Sequence, residues 1–422
     1  VSLGLGDHRE VHLVLANRLI PLAEPAIGGN AWAYVKSCLD SGWVSSSGPV
    51  VTEFERTVAD YLGCRYAVAT SSGTAALHLA LLAAGVQRDD EVLLPALTFI
   101  APANAVRYCN AWPAFIDVEP AHLQLDPDRL EEYLTDNAEL SAQGLLNRTS
   151  GRPIRALIPV DLLGHPADWD RLRSIAERFR LALVEDASES LGATYRGRRV
   201  GALGDVACLS FNGNKIVTTG GGGMVLTDNR SWADRARYLS TQAKDDPHEH
   251  IHGELGYNYR LTGLQAALGL SQMEQLDRFV AAKRGIATRY LCALKAVPGV
   301  TLPREAPDAT STYWLYTLRI DPQVFGMSSR ALALHLEAQG IGTRPLWQPL
   351  TLSLPYGTLL NGYAPVAEAV YADALSVPCS VCLSKEDQDI VIDAILRHHS
   401  SGGGSATAAR GCMACARQAG NR

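Results

Sequence analysis

Ser210-Phe211-Asn212-Gly213-Asn214-Lys215 decides how this chain is read. The apolar run 206–211 predicts a short buried strand, and it delivers a lysine just ahead of Thr218-Thr219-Gly220-Gly221-Gly222-Gly223. Between a strand and a glycine turn, with few charges beside it, Lys215 is a candidate for a partly desolvated amine able to form a Schiff base. Most loop lysines are solvated surface charges, so partners elsewhere in the chain must carry the assignment.

Those partners lie upstream. The apolar run 181–184 ends in Glu185-Asp186, which puts Asp186 at the carboxyl end of a strand, where open α/β sheets place their ligands. A carboxylate there can hold a pyridinium nitrogen protonated. Ser71-Ser72-Gly73-Thr74 comes after the strand run 66–70 and opens a helical run over 75–84. Backbone N–H groups at a helix start, with glycine for close approach and hydroxyls beside it, make a phosphate cradle. A phosphate site, an acid for a ring nitrogen and a lysine for an aldehyde are together what pyridoxal phosphate requires.

With these residues the sequence resembles the fold-type-I sugar aminotransferases of the DegT/DnrJ/EryC1/StrS family, from about residue 20 to about residue 398. Ser72-Gly73-Thr74-Ala75-Ala76, Glu185-Asp186-Ala187, the segment ending in Lys215, and Gly256-Tyr257-Asn258-Tyr259-Arg260 carry the resemblance. It implies a large domain with a seven-stranded, mostly parallel sheet and a smaller C-terminal α/β domain. Strand runs at 66–70, 91–97, 113–118, 156–162, 181–186, 206–211 and 223–227, several separated by helical stretches, fit that α/β class independently. The expected division is an N-terminal arm over 1–19, the large domain over 20–245, the small domain over 246–399 and a disordered tail over 400–422.

The same resemblance implies roles. Lys215 and Asp186 are expected to be catalytic. Ser72, Gly73, Thr74, Phe99, Glu189, Ser210 and Asn258 are expected at the cofactor, with Phe99 stacked on the ring and Asn258 reaching the phosphate of a neighbouring subunit's cofactor. Arg260 and Arg344 are expected on the substrate side. By periodicity alone Phe99 is a core residue; the plain alternatives are a surface glutamate for Glu189 and a salt-bridged structural arginine for Arg344. Where many relatives carry a histidine this chain has Asp161, and His165 is assigned no chemistry. The glycine run 220–223 reads as close backbone packing.

The block 242–260 resembles the branch that aminates UDP- or GDP-linked 4-keto-6-deoxy-N-acetylhexosamines for legionaminic acid and bacillosamine-type sugars. The expected reaction moves an amino group from glutamate to the sugar's C4 ketone, in a homodimer with shared sites. Alternatives are a keto-cyclitol or 3-keto sugar as acceptor, and a non-catalytic cofactor-binding regulator. A 3-dehydratase on this scaffold would carry histidine where Lys215 stands.

Composition sets outer bounds. The 422 residues are 47% hydrophobic and 19% charged, enough for two or three domains with a substantial core. A net charge of -6 gives no reason to expect nucleic acid or an anionic membrane. No apolar stretch has the length to span a bilayer and no signal-peptide pattern opens the chain, so a cytoplasmic protein is expected. Nine cysteines, an odd number, read as reduced thiols. Cys379-Ser380-Val381-Cys382 and Cys412-Met413-Ala414-Cys415 have zinc-like spacing, but the second pair sits in a Gly/Ser/Ala-rich tail, so no metal is expected. His250 and His252 lack a carboxylate in ligand register. Later, Thr262-Gly263-Leu264-Gln265 predicts a capping box opening a long helical region, closed by Pro298-Gly299. Beyond it the pattern predicts a strand at 313–320 and helices at 329–339 and 384–398.

Overall fold

Seven apolar runs become the seven strands of one sheet in the computed structural model, which describes residues 19–142, 144–246, 248–356 and 363–401. In sheet order the strands are Tyr66–Thr70, Gly223–Thr227, Val206–Ser210, Ala182–Asp186, Ile154–Leu157, Glu91–Pro95 and Trp112–Ile116. Only Gly223–Thr227 runs antiparallel to its neighbours; the other pairings are parallel. None of these strands has more than one residue that is not buried, as strands covered by helices on both faces must be. The fold is α/β, as the alternating runs predict.

Local chemistry sets the elements that bear on the site. Gly73–Ala83 is a helix buried almost all round, and Ser72 caps it by accepting from the Ala75 N–H at 3.0 Å. At Thr262 the expected capping box forms in both directions, with Gln265 Oε1 accepting from Thr262 N at 3.1 Å. The helical region it opens is two helices, Gly263–Met273 and Leu276–Leu294. At the break, Glu274 and Gln275 turn to the N-terminal segment, where Asn30 donates to Glu274 and Gln275 donates to the Gly28 carbonyl. Sequence periodicity does not register that exchange of one helical step for two side-chain anchors.

One expected strand ends early. The run 156–162 leaves the ladder after Leu157, because Pro159 has no N–H to give. Val160 pairs with Asp186 only as an isolated bridge, and the chain then turns through Leu163 at φ 60°. The turn brings this segment under the site.

Further along, Val300–Thr301, Tyr316–Ile320, Ala374–Val377 and Arg344–Pro345 form a second, antiparallel four-stranded sheet. Helices Ser329–Glu337 and Lys385–Ser401 appear near their expected places. Expectations for an N-terminal arm and a C-terminal tail, with Cys412 and Cys415, lie outside the described residues apart from 19, 400 and 401. Among the described residues no helix is long and apolar enough to cross a membrane, and no group of three or more His, Cys, Asp or Glu could hold a metal ion.

His78 is the least accommodated polar group of this core. It lies on the Gly73–Ala83 helix, 2% exposed, among the rings of Tyr108, Tyr257 and Tyr259, with neither ring nitrogen hydrogen-bonded. Burial lowers its pKa from 6.5 to about 4. Below pH 6.5 the unfolded chain therefore takes up a proton that the folded chain refuses, and stability is lost as pH falls from 6.5 toward 4, by up to roughly 3 kcal/mol. His165, also held near 4 by burial, adds to the same slope. Denaturant unfolding of a His78→Leu variant should show a shallower loss of stability between pH 7 and 5 than the parent. Parallel losses in the two proteins would contradict a buried, neutral His78.

Candidate active site

The carboxyl ends of the parallel strands meet one cavity of about 230 Å³. Four of them supply expected site residues at or just beyond the carboxyl end. After Tyr66–Thr70 come Ser72, Gly73 and Thr74; after Glu91–Pro95 comes Phe99; Asp186 ends its strand, with Glu189 three residues on; Ser210 ends the next, and Lys215 lies on the loop beyond. All eight border the cavity.

Glycine lets the parts approach. A Cβ on Gly73 would stand 2.8 Å from Ser210 Cβ, so the helix start and the end of the lysine-bearing strand touch only because that atom is missing. Gly223, paired with both Thr70 and Ser210, similarly has no room for a Cβ against the Ser72 carbonyl. The glycine run thus serves close packing at its Gly222 and Gly223 positions.

Two adjacent acids have different fates. Glu185 faces away from the cavity and accepts from the N–H groups of Gly201, Leu203 and Gly204, which fixes that loop to the strand. Asp186, 4% exposed, accepts from the Ser188 N–H at 3.1 Å and borders the cavity. Burial pushes the Asp186 carboxyl up, while Ser188 and the charge of Lys215 pull it down. A cationic N–H arriving in the cavity would complete it.

Lys215 is nearly enclosed, with 13% of its side chain exposed, and its Nζ is 3.5 Å from Glu189 Oε1. The other oxygen of Glu189 accepts from the Leu163 N–H at 2.8 Å. Burial raises the Glu189 carboxyl, and Lys215 opposes that rise. Glu189 is therefore a buried acid facing the lysine and not a surface glutamate. Phe99 is 51% exposed, which a core phenylalanine would not be.

Three expected residues do not border this cavity. Arg260 is a correction: its Nη1 donates to Glu55 Oε1 at 2.9 Å and to the Ala69 carbonyl at 3.2 Å, with 12% of the side chain exposed. Glu55, itself buried and also bound by Arg237 and the Ala69 N–H, claims the guanidinium for the fold. A motif centred on residue 260 cannot show an acid two hundred residues earlier. Asn258 pairs with Thr241 in an isolated bridge, and Arg344 is exposed on the second sheet with its Nη1 on the Thr343 carbonyl.

Sequence reasoning missed the aromatic wall. Trp314 and Trp347 both border the cavity; their rings stack with centroids 6.2 Å apart at 7°, and Phe99 meets Trp347 edge-on at 6.4 Å. Both come from the C-terminal part of the chain, Trp314 within the predicted strand 313–320 and Trp347 three residues after Arg344, and no motif marks either. Asp161, the departure from the family's histidine, is fully buried and does not border the cavity; its Oδ1 accepts from the Ala167 N–H and the Trp169 indole.

The residues present fit pyridoxal phosphate. At the cradle, the Gly73 and Thr74 N–H groups have no acceptor among the described residues, and the missing Cβ of Gly73 lets the Ser210 hydroxyl come up against the helix start. A buried acid, an enclosed lysine and an exposed aromatic ring border the same cavity.

Comparison with known proteins agrees. The profile of the DegT/DnrJ/EryC1/StrS aminotransferase family matches residues 25–396. The chain is 38% identical over 377 residues to the GDP-perosamine synthase of Caulobacter vibrioides, covering 89% of this chain and 97% of that protein. With the GDP-perosamine synthase of Escherichia coli O157:H7 it shares 34% identity, over 91% of this chain and 99% of that one. Among solved structures, the aminotransferase TlmJ from Streptoalloteichus hindustanus superposes with a TM-score of 0.82 at 30% identity, over 91% of this chain and 99% of that one. The chain therefore belongs to the DegT/DnrJ/EryC1/StrS aminotransferase family and is a pyridoxal phosphate-dependent aminotransferase.

Proposed function

We propose that this enzyme moves the amino group of glutamate to the C4 ketone of a nucleotide-linked 4-keto-6-deoxyhexose, in the making of a surface-polysaccharide or glycan sugar. The observation that carries the reading is that Lys215 Nζ, the Glu189 and Asp186 carboxyls and the helix start at Gly73 all border one cavity. Two similar proteins are named for a GDP-linked sugar, which favours GDP over UDP as the carrier.

Pyridoxal phosphate, when bound, supplies the electron sink that makes the donor's α proton acidic. The protein does the rest. Ser72, Gly73, Thr74 and Ser210 bind the phosphate, where the helix start favours negative charge. Phe99 packs on the ring face. Asp186 holds the proton on the ring nitrogen, its own charge sustained by that contact. Lys215 Nζ would take the proton from the donor's α carbon and give one to the cofactor's aldehyde-derived carbon on the far side of the transferred nitrogen, and in the second half-reaction it would carry a proton from there to the sugar carbon. Glu189 Oε1 keeps the amine oriented between transfers.

The reading includes a two-fold homodimer and a small C-terminal domain. Asn258, outside the one-chain cavity, would complete the partner's phosphate site. Arg344, exposed, would meet the sugar's diphosphate or the donor's carboxylate.

Three outcomes test the proposal. Glutamate added to the holoenzyme should bleach its visible absorbance band, and a 4-keto-6-deoxy sugar added after donor removal should restore it; the panel is the GDP-linked sugar, the UDP-linked N-acetylated sugar and a keto-cyclitol. Restoration by the cyclitol alone contradicts the nucleotide-sugar reading. Lys215→Ala should fold with an unchanged melting temperature and show no turnover; near-normal turnover would remove Lys215 from the mechanism. Because a methyl at position 73 would crowd Ser210, Gly73→Ala should lose its cofactor on dialysis at least tenfold more readily than the parent. Equal retention would mean that the phosphate sits elsewhere.

A further inference from the structure

Lys215 has a second neighbour that no motif announces. The Trp314 ring centroid lies 3.8 Å from Lys215 Nζ, so the amine rests on the indole face. Trp314 is 2% exposed and held on every side. Its indole N–H donates to the carbonyl of Asn214, the residue before the lysine, at 2.8 Å. Trp347 stacks alongside it. At the backbone, the Trp314 carbonyl accepts from Lys283 Nζ at 2.9 Å, and the same amine donates to the Cys379 carbonyl at 2.8 Å. Lys283 lies on the helix Leu276–Leu294 and is itself buried. On the other flank Gly164 packs so closely that a Cβ there would stand 2.9 Å from the Trp314 nitrogen. The preceding residue, Tyr313, is held at φ 50°, a left-handed conformation that a bulky non-glycine residue adopts only when its surroundings impose it.

We propose that Trp314 is a catalytic residue whose ring face receives the Lys215 ammonium during proton transfer, and that Lys283 is the positioning residue that sets the ring there. The inference rests on the aminotransferase reading through Lys215. A lysine that shuttles a proton alternates between neutral amine and ammonium. A tryptophan face attracts the ammonium and is nearly indifferent to the amine. The other charges facing Nζ, Glu189 and Asp186, act in the same direction. Trp314 differs from them in adding no charge and no proton acceptor: it holds the loaded base beside the reacting carbon, keeps water from that side, and gives the proton no competing place to go. Lys283 makes the arrangement rigid, because moving Trp314 would leave a buried amine without its carbonyl.

The test compares Trp314→Leu, Trp314→Phe and Lys283→Met with the parent. The first readout uses cofactor-free protein: the pH dependence of Lys215 arylation by trinitrobenzenesulfonate, quantified on the Lys215 peptide. Without the ring face the ammonium is less favoured, so in Trp314→Leu labelling should begin at lower pH by about half to one unit. Trp314→Phe, which keeps a ring, should shift less, and Lys283→Met should shift in the same direction as the leucine variant. The second readout is the glutamate half-reaction of the holoenzyme. Its rate should fall on the order of tenfold in Trp314→Leu, with KM for glutamate within twofold and partial recovery in Trp314→Phe. Labelling profiles of the variants that overlay the parent's would overturn the proposal. Equal rate losses in the leucine and phenylalanine variants would also overturn it, since both lose the indole N–H bond and only one loses the ring. Should the leucine variant fail to fold, the phenylalanine and Lys283→Met profiles decide between the same two results. Because labelling is read without cofactor, failure of the aminotransferase reading appears separately, as a parent holoenzyme that glutamate does not bleach.

Discussion

The pairing of Val206–Ser210 between Ala182–Asp186 and Gly223–Thr227 is the interaction on which the site depends. On one side Cys208 lies opposite Asp186, and on the other Ser210 lies opposite Gly223, which in turn lies opposite Thr70. These registers place the loop of Lys215, the Asp186 carboxyl and the helix start at Gly73 at one end of one sheet. A slip of one residue would carry Asp186 to the far face and bring Glu185 to the cavity. The strand is wholly apolar before Ser210 and covered on both faces, so its register is fixed by burial on each side.

Buried charge in this protein divides by what completes it. Glu185 has three backbone N–H groups and Glu55 has two arginines and an N–H, so both are closed structural anchors. Lys283 is closed in the same way by two carbonyls. Asp186 and Glu189 instead face a cavity with capacity left over, which Lys215 also borders. Desolvation raises both carboxyls, and an opposite charge offsets it. A closed anchor stabilises the fold at any stage of turnover, whereas an acid with spare capacity can follow a proton.

How much of this was legible in the sequence depended on range. Strand ends and helix starts are local, so the seven-stranded sheet, the helix start at Ser72, the acid at Asp186 and the lysine at 215 could all be placed from the sequence alone. What failed was long-range partnership. Arg260 belongs to a recognisable motif, yet its fate was settled by Glu55 on another helix. Trp314 sits in the predicted strand 313–320, and nothing near it in sequence signals that its ring lies on Lys215. The same blindness hid the early end of the 156–162 strand, although there Pro159 was a readable warning. The hairpin formed by Ala138–Ser141 and Gly144–Asn147 was not foreseen either, because its alternation spans only four residues on each side.

The most direct test of the account is to reduce the freshly purified holoenzyme with borohydride and find the residue to which the cofactor becomes fixed, by peptide mass spectrometry. The account predicts a single cofactor-bearing peptide with the modification on Lys215. Modification of a different lysine, or a fully occupied protein that leaves the Lys215 peptide unmodified, would contradict it.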